Sequence, residues 1–234
     1  MSKAIKLIVS GFESSGKSSI TSKIQDVLVI NFDQKEYSFE APHANYTNYS
    51  GMDSVINFIN EKLQAYKTKF KKFPKVVVFD TITHLYLAMT KYNSEKYTGF
   101  NIHSANSKDT FMFNSYINDI LVPNDVSVIE VAHTVFDEST STFRIPGQGE
   151  FKRNGGWLST TNEAIYIEKK NGKLNIYVKS DKYPARTTLA EYTKTDDKGN
   201  HLETEIKFTS DEFNFTEYLD KLMNSKVEIE KFVL

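Results

Sequence analysis

Residues 11–18 read Gly-Phe-Glu-Ser-Ser-Gly-Lys-Ser, the GxxxxGK[ST] spacing of a phosphate-binding loop. In such a loop the glycines let successive backbone N–H groups converge on phosphate oxygens, and a following helix adds its positive dipole end. Gly11, Phe12, Glu13, Ser14, Ser15, Gly16, Lys17, Ser18 and Ser19 are therefore candidate nucleotide-binding residues. Lys17 is spaced to reach the β- and γ-phosphates, and the Ser18 hydroxyl to ligate Mg²⁺. A bland Gly/Ser turn would need neither Lys17-Ser18 after the second glycine nor a strand before the first. The implied ligands are ATP and Mg²⁺.

A second chemical group supports this reading. Lys75-Val76-Val77-Val78-Phe79-Asp80 is a short apolar run ending in an acid, the pattern of a strand buried on both faces of a parallel sheet. An acid at the carboxyl end of such a strand can hold Mg²⁺ through water. Asp80 is thus a Walker B candidate and completes a metal set with Ser18.

The elements that must position these groups alternate. Ile5–Val9 reads as the strand before the loop, and Ser18–Gln25 as the helix after it. Val27–Asp33 reads as a second buried strand, and Met52, Val55, Ile56, Ile59 and Leu63 keep a helical period over 52–67. A helix is expected over 83–93, a polar surface loop over 94–108, and an amphipathic helix through Phe113–Leu121 that stops at Pro123. Ser127–His133 is a further strand. Residues 134–158 break the rhythm: they are polar, glycine-punctuated, and contain two of the three arginines and the sole tryptophan. They read either as a ligand-binding loop or as an ordinary hairpin excursion. Strands at 163–170 and 173–180 meet at Asn171-Gly172, a hairpin signal. A second hairpin is expected near Asp196–Asn200, and a terminal helix over 213–223.

Composition bounds the rest. The 234 residues, 39% of them hydrophobic, suit one α/β domain over 1–234, with a core of about 5–190 and a C-terminal hairpin and helix over about 188–234. A formal net charge of −1 offers no global field for nucleic acid, so any such binding must be local. There is no cysteine, hence no thiolate metal site or cysteine nucleophile. The histidines lack ligand spacing for structural zinc. No apolar run approaches a membrane span, so the expectation is a soluble cytoplasmic protein with no membrane partner.

The succession of features has a precedent. An acid-tipped second strand lies between the phosphate loop and Asp80. A strand ending in His133 precedes a glycine-rich loop, and a hairpin leads into Val178-Lys179-Ser180-Asp181-Lys182-Tyr183-Pro184-Ala185-Arg186. Over residues 5 to about 190 the chain resembles the RecA-like recombinase ATPases, closest to the shortened phage-encoded relatives associated with single-strand annealing. That resemblance implies an α/β fold: a RecA-like P-loop core with a mainly parallel sheet flanked by helices, C-terminal β-hairpins and a terminal helix. It implies an ATPase stimulated by single-stranded DNA, acting in recombination or annealing in a host's cytoplasm. Homo-oligomers and a single-strand-binding protein are the implied partners.

Residue by residue, the resemblance places a water-activating carboxylate at Asp33, with Glu36 as competitor and a simple turn cap as the alternative. His133 falls where a polar γ-phosphate sensor stands, or is satisfied by strand-end backbone. Lys179 and Lys182, with Arg186 as a third candidate, match lysines that reach a neighbouring subunit's ATP. DNA would be met by 94–108 and 134–158, with Arg144, Lys152 and Arg153 on phosphates and Phe143, Phe151 or Trp157 stacking on bases. The first strand begins too early for the N-terminal oligomerisation segment of full-length recombinases, so rings or transient assemblies are expected. Two rival functions remain open. A small-molecule kinase would use the same loop but needs more arginines than three, and a nucleotide-gated assembly factor would hydrolyse little ATP.

Overall fold

The computed structural model describes residues 3–33, 35–147, 156–194, 196–198 and 203–225. Its centre is an eight-stranded sheet built from β1 (Lys6–Gly11), β2 (Val27–Asn31), β3 (His43–Asn45), β4 (Val76–Asp80), β5 (Ser127–His133), β8 (Glu163–Lys170), β9 (Lys173–Lys179) and β10 (Ile206–Thr209). The spatial order is β10-β9-β8-β1-β5-β4-β2-β3. Every pairing from β8 across to β3 is parallel, while β9 and β10 close the other edge antiparallel. A separate small hairpin pairs β6 (Val135–Asp137) with β7 (Thr142–Arg144).

Strand side chains alternate between faces, and both faces here are apolar. Ile8, Leu28, Ile30, Val77, Phe79 and Val128 face α2 (Met52–Phe70), α3 (Ile82–Lys96) and α4 (Phe100–Ser115). Leu7, Val9, Val29, Val78, Ile129 and Val131 face the other layer, with Ile20 and Ile24 around α1 (Lys17–Thr21) and with α5 (Phe215–Asn224). This double burial explains why the strands read as near-continuous apolar runs. The carboxyl ends of β1, β2, β4 and β5 meet along one rim, where the candidate residues lie.

Several elements differ from the sequence reading. Helix α1 stops at Thr21, short of Gln25, because Thr21 Oγ1 donates back to the carbonyls of Lys17 and Ser18 and Ser22 Oγ to that of Ser19. Such local bonds compete with helix continuation. Residues 94–108 are not a surface loop: α3 runs to Lys96, and α4 begins at Phe100 after a corner at Gly99. The inward face of α4 is largely polar, with Asn106, Thr110 and Asn114 buried beside Phe113. Asn93 Nδ2 donates to Asn106 Oδ1 at 2.9 Å and to Asp109 Oδ2 at 3.1 Å. A helix held by buried amides shows no apolar period. The Phe113–Leu121 helix is the tail of α4, continued by a π-helical turn at Tyr116–Leu121.

The Asn171-Gly172 turn does join β8 and β9, both residues having positive φ. Of the second turn expected at 196–200, residues 199 and 200 lie outside the described residues, and within the rest Lys198 N donates to Asp196 Oδ1 at 2.9 Å. The strand beyond it, β10, pairs with β9. Among the described residues, no helix is long and apolar enough to cross a membrane.

Candidate functional site

β1 delivers Gly11 between two neighbours, in register with His133 of β5 and Ile167 of β8. A Cβ on Gly11 would lie 2.3 Å from the Ile167 carbonyl oxygen and 2.7 Å from Ser15 Oγ, so no other residue fits. Gly16 caps α1 with φ 91, which glycine adopts without cost. Lys17 follows, and its side chain folds under the loop. Its Nζ donates to the Phe12 carbonyl at 2.5 Å, the Gly11 carbonyl at 3.0 Å and Ser15 Oγ at 3.4 Å. Burial pulls the Lys17 pKa down to about 8, opposed by the nearby carboxylates of Asp80 and Glu13. The ammonium is thus desolvated and held largely by neutral oxygens, a state that an arriving phosphate would relieve.

Asp80 ends β4 beside this lysine and is almost wholly buried. Burial pushes its carboxyl upward, against the hydrogen bond from Ser18 and the charges of Lys17 and His84; Asp33 adds to the rise. Ser18 and Asp80, the two expected metal residues, face the same cleft. The Asp80 backbone also organises the next strand end: its carbonyl accepts from Phe32 N at 2.6 Å and Asp33 N at 3.4 Å. Asn31 fixes the same turn. Its Oδ1 accepts from Asp33 N at 3.1 Å, and its Nδ2 donates to the Lys35 carbonyl and to Asn45 Oδ1, each at 2.9 Å. Asp33 and the more exposed Glu36 both line the cleft.

His133 closes the third side. Its backbone N–H donates to Thr83 Oγ1 at 3.3 Å. Its Nδ1 is sheltered from solvent and has no protein partner among the described residues. Burial, then the charges of Lys17 and His84, pull its pKa down to about 4. At neutral pH it is an uncharged imidazole able to donate or accept one hydrogen bond at the site. Residues of the loop, Asp33, Glu36, Asp80 and His133 together line a cavity of about 390 Å³.

Sequence reasoning missed the groups that hold these residues. His84 Nδ1 lies 3.8 Å from Asp33 Oδ1 and 3.0 Å from Thr81 Oγ1, and its ring centroid is 5.5 Å from that of His133. Thr81 is the N-cap of α3. The signal was present: a threonine just after Asp80, with His84 one helical turn on, faces whatever Asp80 faces.

The remaining candidates lie outside the cleft. Register puts Gly11, Ile167 and Ile176 in one row. Lys179 is three residues further along β9, ~10 Å from that row at a strand's rise per residue. Its Nζ is sheltered and has no hydrogen-bond partner among the described residues. Lys182 lies over the rings of Tyr183 and Phe143, at 5.4 and 5.9 Å from their centroids. Arg186 donates to the Thr161 carbonyl. Arg144, half-exposed on β7, is paired with Asp137 at 3.0 Å. Phe143 is part of an aromatic stack, edge-on to Phe12 of the loop and parallel to Tyr183. Trp157 corrects the expectation of a base-stacking residue: it is 1% exposed and packs edge-on against Tyr86 in the core beneath α3. Phe151, Lys152 and Arg153 lie outside the described residues.

A phosphate loop on a mostly parallel sheet, with its lysine buried and a strand-end carboxylate facing the same cleft, defines a P-loop NTPase domain. The residues fit Mg²⁺: Ser18 and Asp80 offer the oxygen donors that this hard cation requires, both on the wall of one cleft. A family model described as AAA domain matches residues 3–135, more than half of the chain, and the chain belongs to that family. The match includes every residue lining the cleft and ends before β8, β9 and the 179–186 segment. A search of curated proteins finds no match to the chain.

Proposed function

We propose that the chain is a RecA-like ATPase that couples Mg²⁺-dependent ATP hydrolysis to single-stranded DNA in phage-type recombination or annealing. The observation that carries the reading is the convergence of Lys17, Ser18, Asp80, Asp33 and His133, from the carboxyl ends of four strands, on one cleft. Lys17 would exchange loop carbonyls for the β- and γ-phosphates. Mg²⁺, held through Ser18 and Asp80, would offset phosphate charge. Asp33, fixed by Asn31 and near His84, would orient the attacking water and take its proton. Neutral His133 would hydrogen-bond the γ-phosphate without adding charge. Because His133 leads through Thr134 into the β6–β7 hairpin, a contact there would bear on the 134–158 segment assigned to DNA.

The test is ATP hydrolysis with and without single-stranded DNA, with assembly followed by light scattering. Stimulated turnover in the parent is expected, lost in Lys17→Ala and strongly reduced in Asp80→Asn. Asp33→Asn should slow turnover at unchanged ATP affinity, whereas Glu36→Gln should leave it near the parent; the reverse would make Glu36 the base. Parental hydrolysis in both Lys17→Ala and Asp80→Asn would remove the assignment.

One observation favours a second reading. A cavity of about 480 Å³ opens beyond His133 among Phe12, Thr83, Tyr86 and Leu87, on the side where a kinase would seat a phosphate acceptor. Phosphate appearing on a small acceptor, with no DNA effect, would favour it. Tight ATP binding with negligible turnover would instead mark a nucleotide-gated loading factor.

A further inference from the structure

A nucleoside triphosphate has two ends, and the cleft described above accounts for only one. Its lining includes Lys17, the hydroxyls of Ser14, Ser15, Ser18 and Ser19, the carboxylates of Glu13, Asp33, Glu36 and Asp80, and the rings of Tyr37 and Phe39. The charged end of that lining suits phosphates and a metal, while its two aromatic rings are already packed edge-on against each other at 5.5 Å. With the γ-phosphate end near Lys17 and Asp80, one way out for the chain of phosphates runs past Ser19, which lines the cleft and also a neighbouring cavity. That second cavity has a volume of about 340 Å³. It shares Gly16 and Ser19 with the first and continues along Ile20 and Lys23 of α1 and the segment after it, Leu174 and Ile176 of β9, and residues 210–216. Its volume falls in the ~300–1,000 Å³ range of small-molecule sites.

We infer that this cavity between α1 and the amino end of α5 is the nucleobase subsite, so that C-terminal residues outside the matched AAA region read the base. The inference rests on the nucleotide reading above. The walls have the chemistry: Ile20, Leu174, Ile176 and Phe213 supply apolar surface, and Asn214 supplies an amide. Phe213 is held from behind, 5.7 Å from the Phe208 ring and 5.3 Å from that of Tyr218. The turn that presents it is fixed as well. Glu212 Oε2 accepts from Thr209 N and Oγ1, each at 2.9 Å, and the Glu212 and Phe213 N–H groups both donate to the Thr209 carbonyl at 3.1 Å. Asn214 uses Oδ1 to cap α5 by accepting from Glu217 N at 3.2 Å. That bond leaves its Nδ2 donors for a ring nitrogen or carbonyl of a base. A preformed wall of this kind spends little entropy on binding.

The competing place for a base is the opposite flank of α1, at Tyr37, Ser38 and Phe39. Photolabelling with 8-azido-ATP separates the two. The inference expects label on residues 18–25, 173–176 or 210–216; label confined to 37–43 overturns it. Affinities for ATP and for inorganic tripolyphosphate, measured by calorimetry, give a second readout. Thr216→Trp, at an exposed position on the cavity's edge, should weaken ATP by about tenfold or more, a loss of ~1.4 kcal/mol, and leave tripolyphosphate unchanged. Asn214→Asp keeps the capping oxygen and removes the amide donors, so it should shift the preference among nucleoside triphosphates without lowering thermal stability. Parental ATP affinity in Thr216→Trp, or equal loss for both probes, overturns the inference. Failure of the parent to bind either probe would instead defeat the nucleotide reading itself.

Discussion

Lys17 shows how a single side chain carries both cost and function. It is buried with three oxygen partners, and its pKa of about 8 means that the charged form is less welcome there than in water. A polyphosphate would reverse this, since anions beside the ammonium favour its protonation. Binding therefore takes up protons wherever the free site has begun to lose them. The sign follows: ATP affinity should hold below pH 8 and weaken as pH rises through it, because a growing share of the free protein must be reprotonated. Calorimetry at pH 8.5 in buffers of different ionisation enthalpy should show net proton uptake, and much less at pH 6.5. An affinity flat from pH 7 to 9.5 would mean that Lys17 stays charged across that range before ATP binds. At this scale the sequence was most legible. The loop's spacing and the acid after four apolar residues are local patterns, and the residues they single out meet in one cleft. Thr81 and His84 were legible only through their spacing from Asp80, and Asn31 was not legible as a site residue, because its role depends on which strand ends become neighbours.

Elements were readable where burial is apolar and periodic, and unreadable where it is polar or irregular. The parallel strands announce themselves as runs of Val, Ile and Leu, whereas α4 hides behind Asn106, Thr110 and Asn114. The Trp157 segment misled for a related reason. Glycines and arginines around a tryptophan suggest an exposed binding loop, yet the short 3-10 turn Gly156–Thr160 plugs that ring into the core against Tyr86. Its role at element scale is to tie the end of the 134–158 segment to α3. Trp157→Ala should accordingly cost about 3–5 kcal/mol, as expected for emptying a large aromatic site, read as a lower urea midpoint. A loss below ~1 kcal/mol would mean that the ring is not anchored. The indole should also be poorly accessible to an aqueous quencher such as iodide. Any change in its emission on adding DNA would then report movement of the segment, not stacking on a base.

The whole molecule poses a question that its own cleft does not answer: what Lys179 and Lys182 are for. Because β9 runs back antiparallel to β8, its far end carries Lys179 away from the phosphate loop, and neither lysine lines the cleft. Within one chain they do not touch the nucleotide site. If they act on phosphate, they act on the site of another copy, as the RecA-like resemblance implies, and hydrolysis then depends on assembly. The prediction is complementation. A Lys179→Ala/Lys182→Ala protein keeps an intact cleft and lacks the donated charges; a Lys17→Ala protein has the reverse defect. Each alone should be inactive, and the mixture should recover up to about a quarter of parental activity if dimeric interfaces form at random, since only that share joins an intact cleft to intact lysines. Co-sedimentation of differently tagged variants must first establish that mixed assemblies form. Recovery would give the sheltered Lys179 ammonium its missing partner in a neighbouring protomer. Absence of recovery in demonstrated mixed assemblies, with the double-lysine protein as active alone as the parent, would make both lysines bystanders of the fold and leave each subunit to hydrolyse ATP with its own residues.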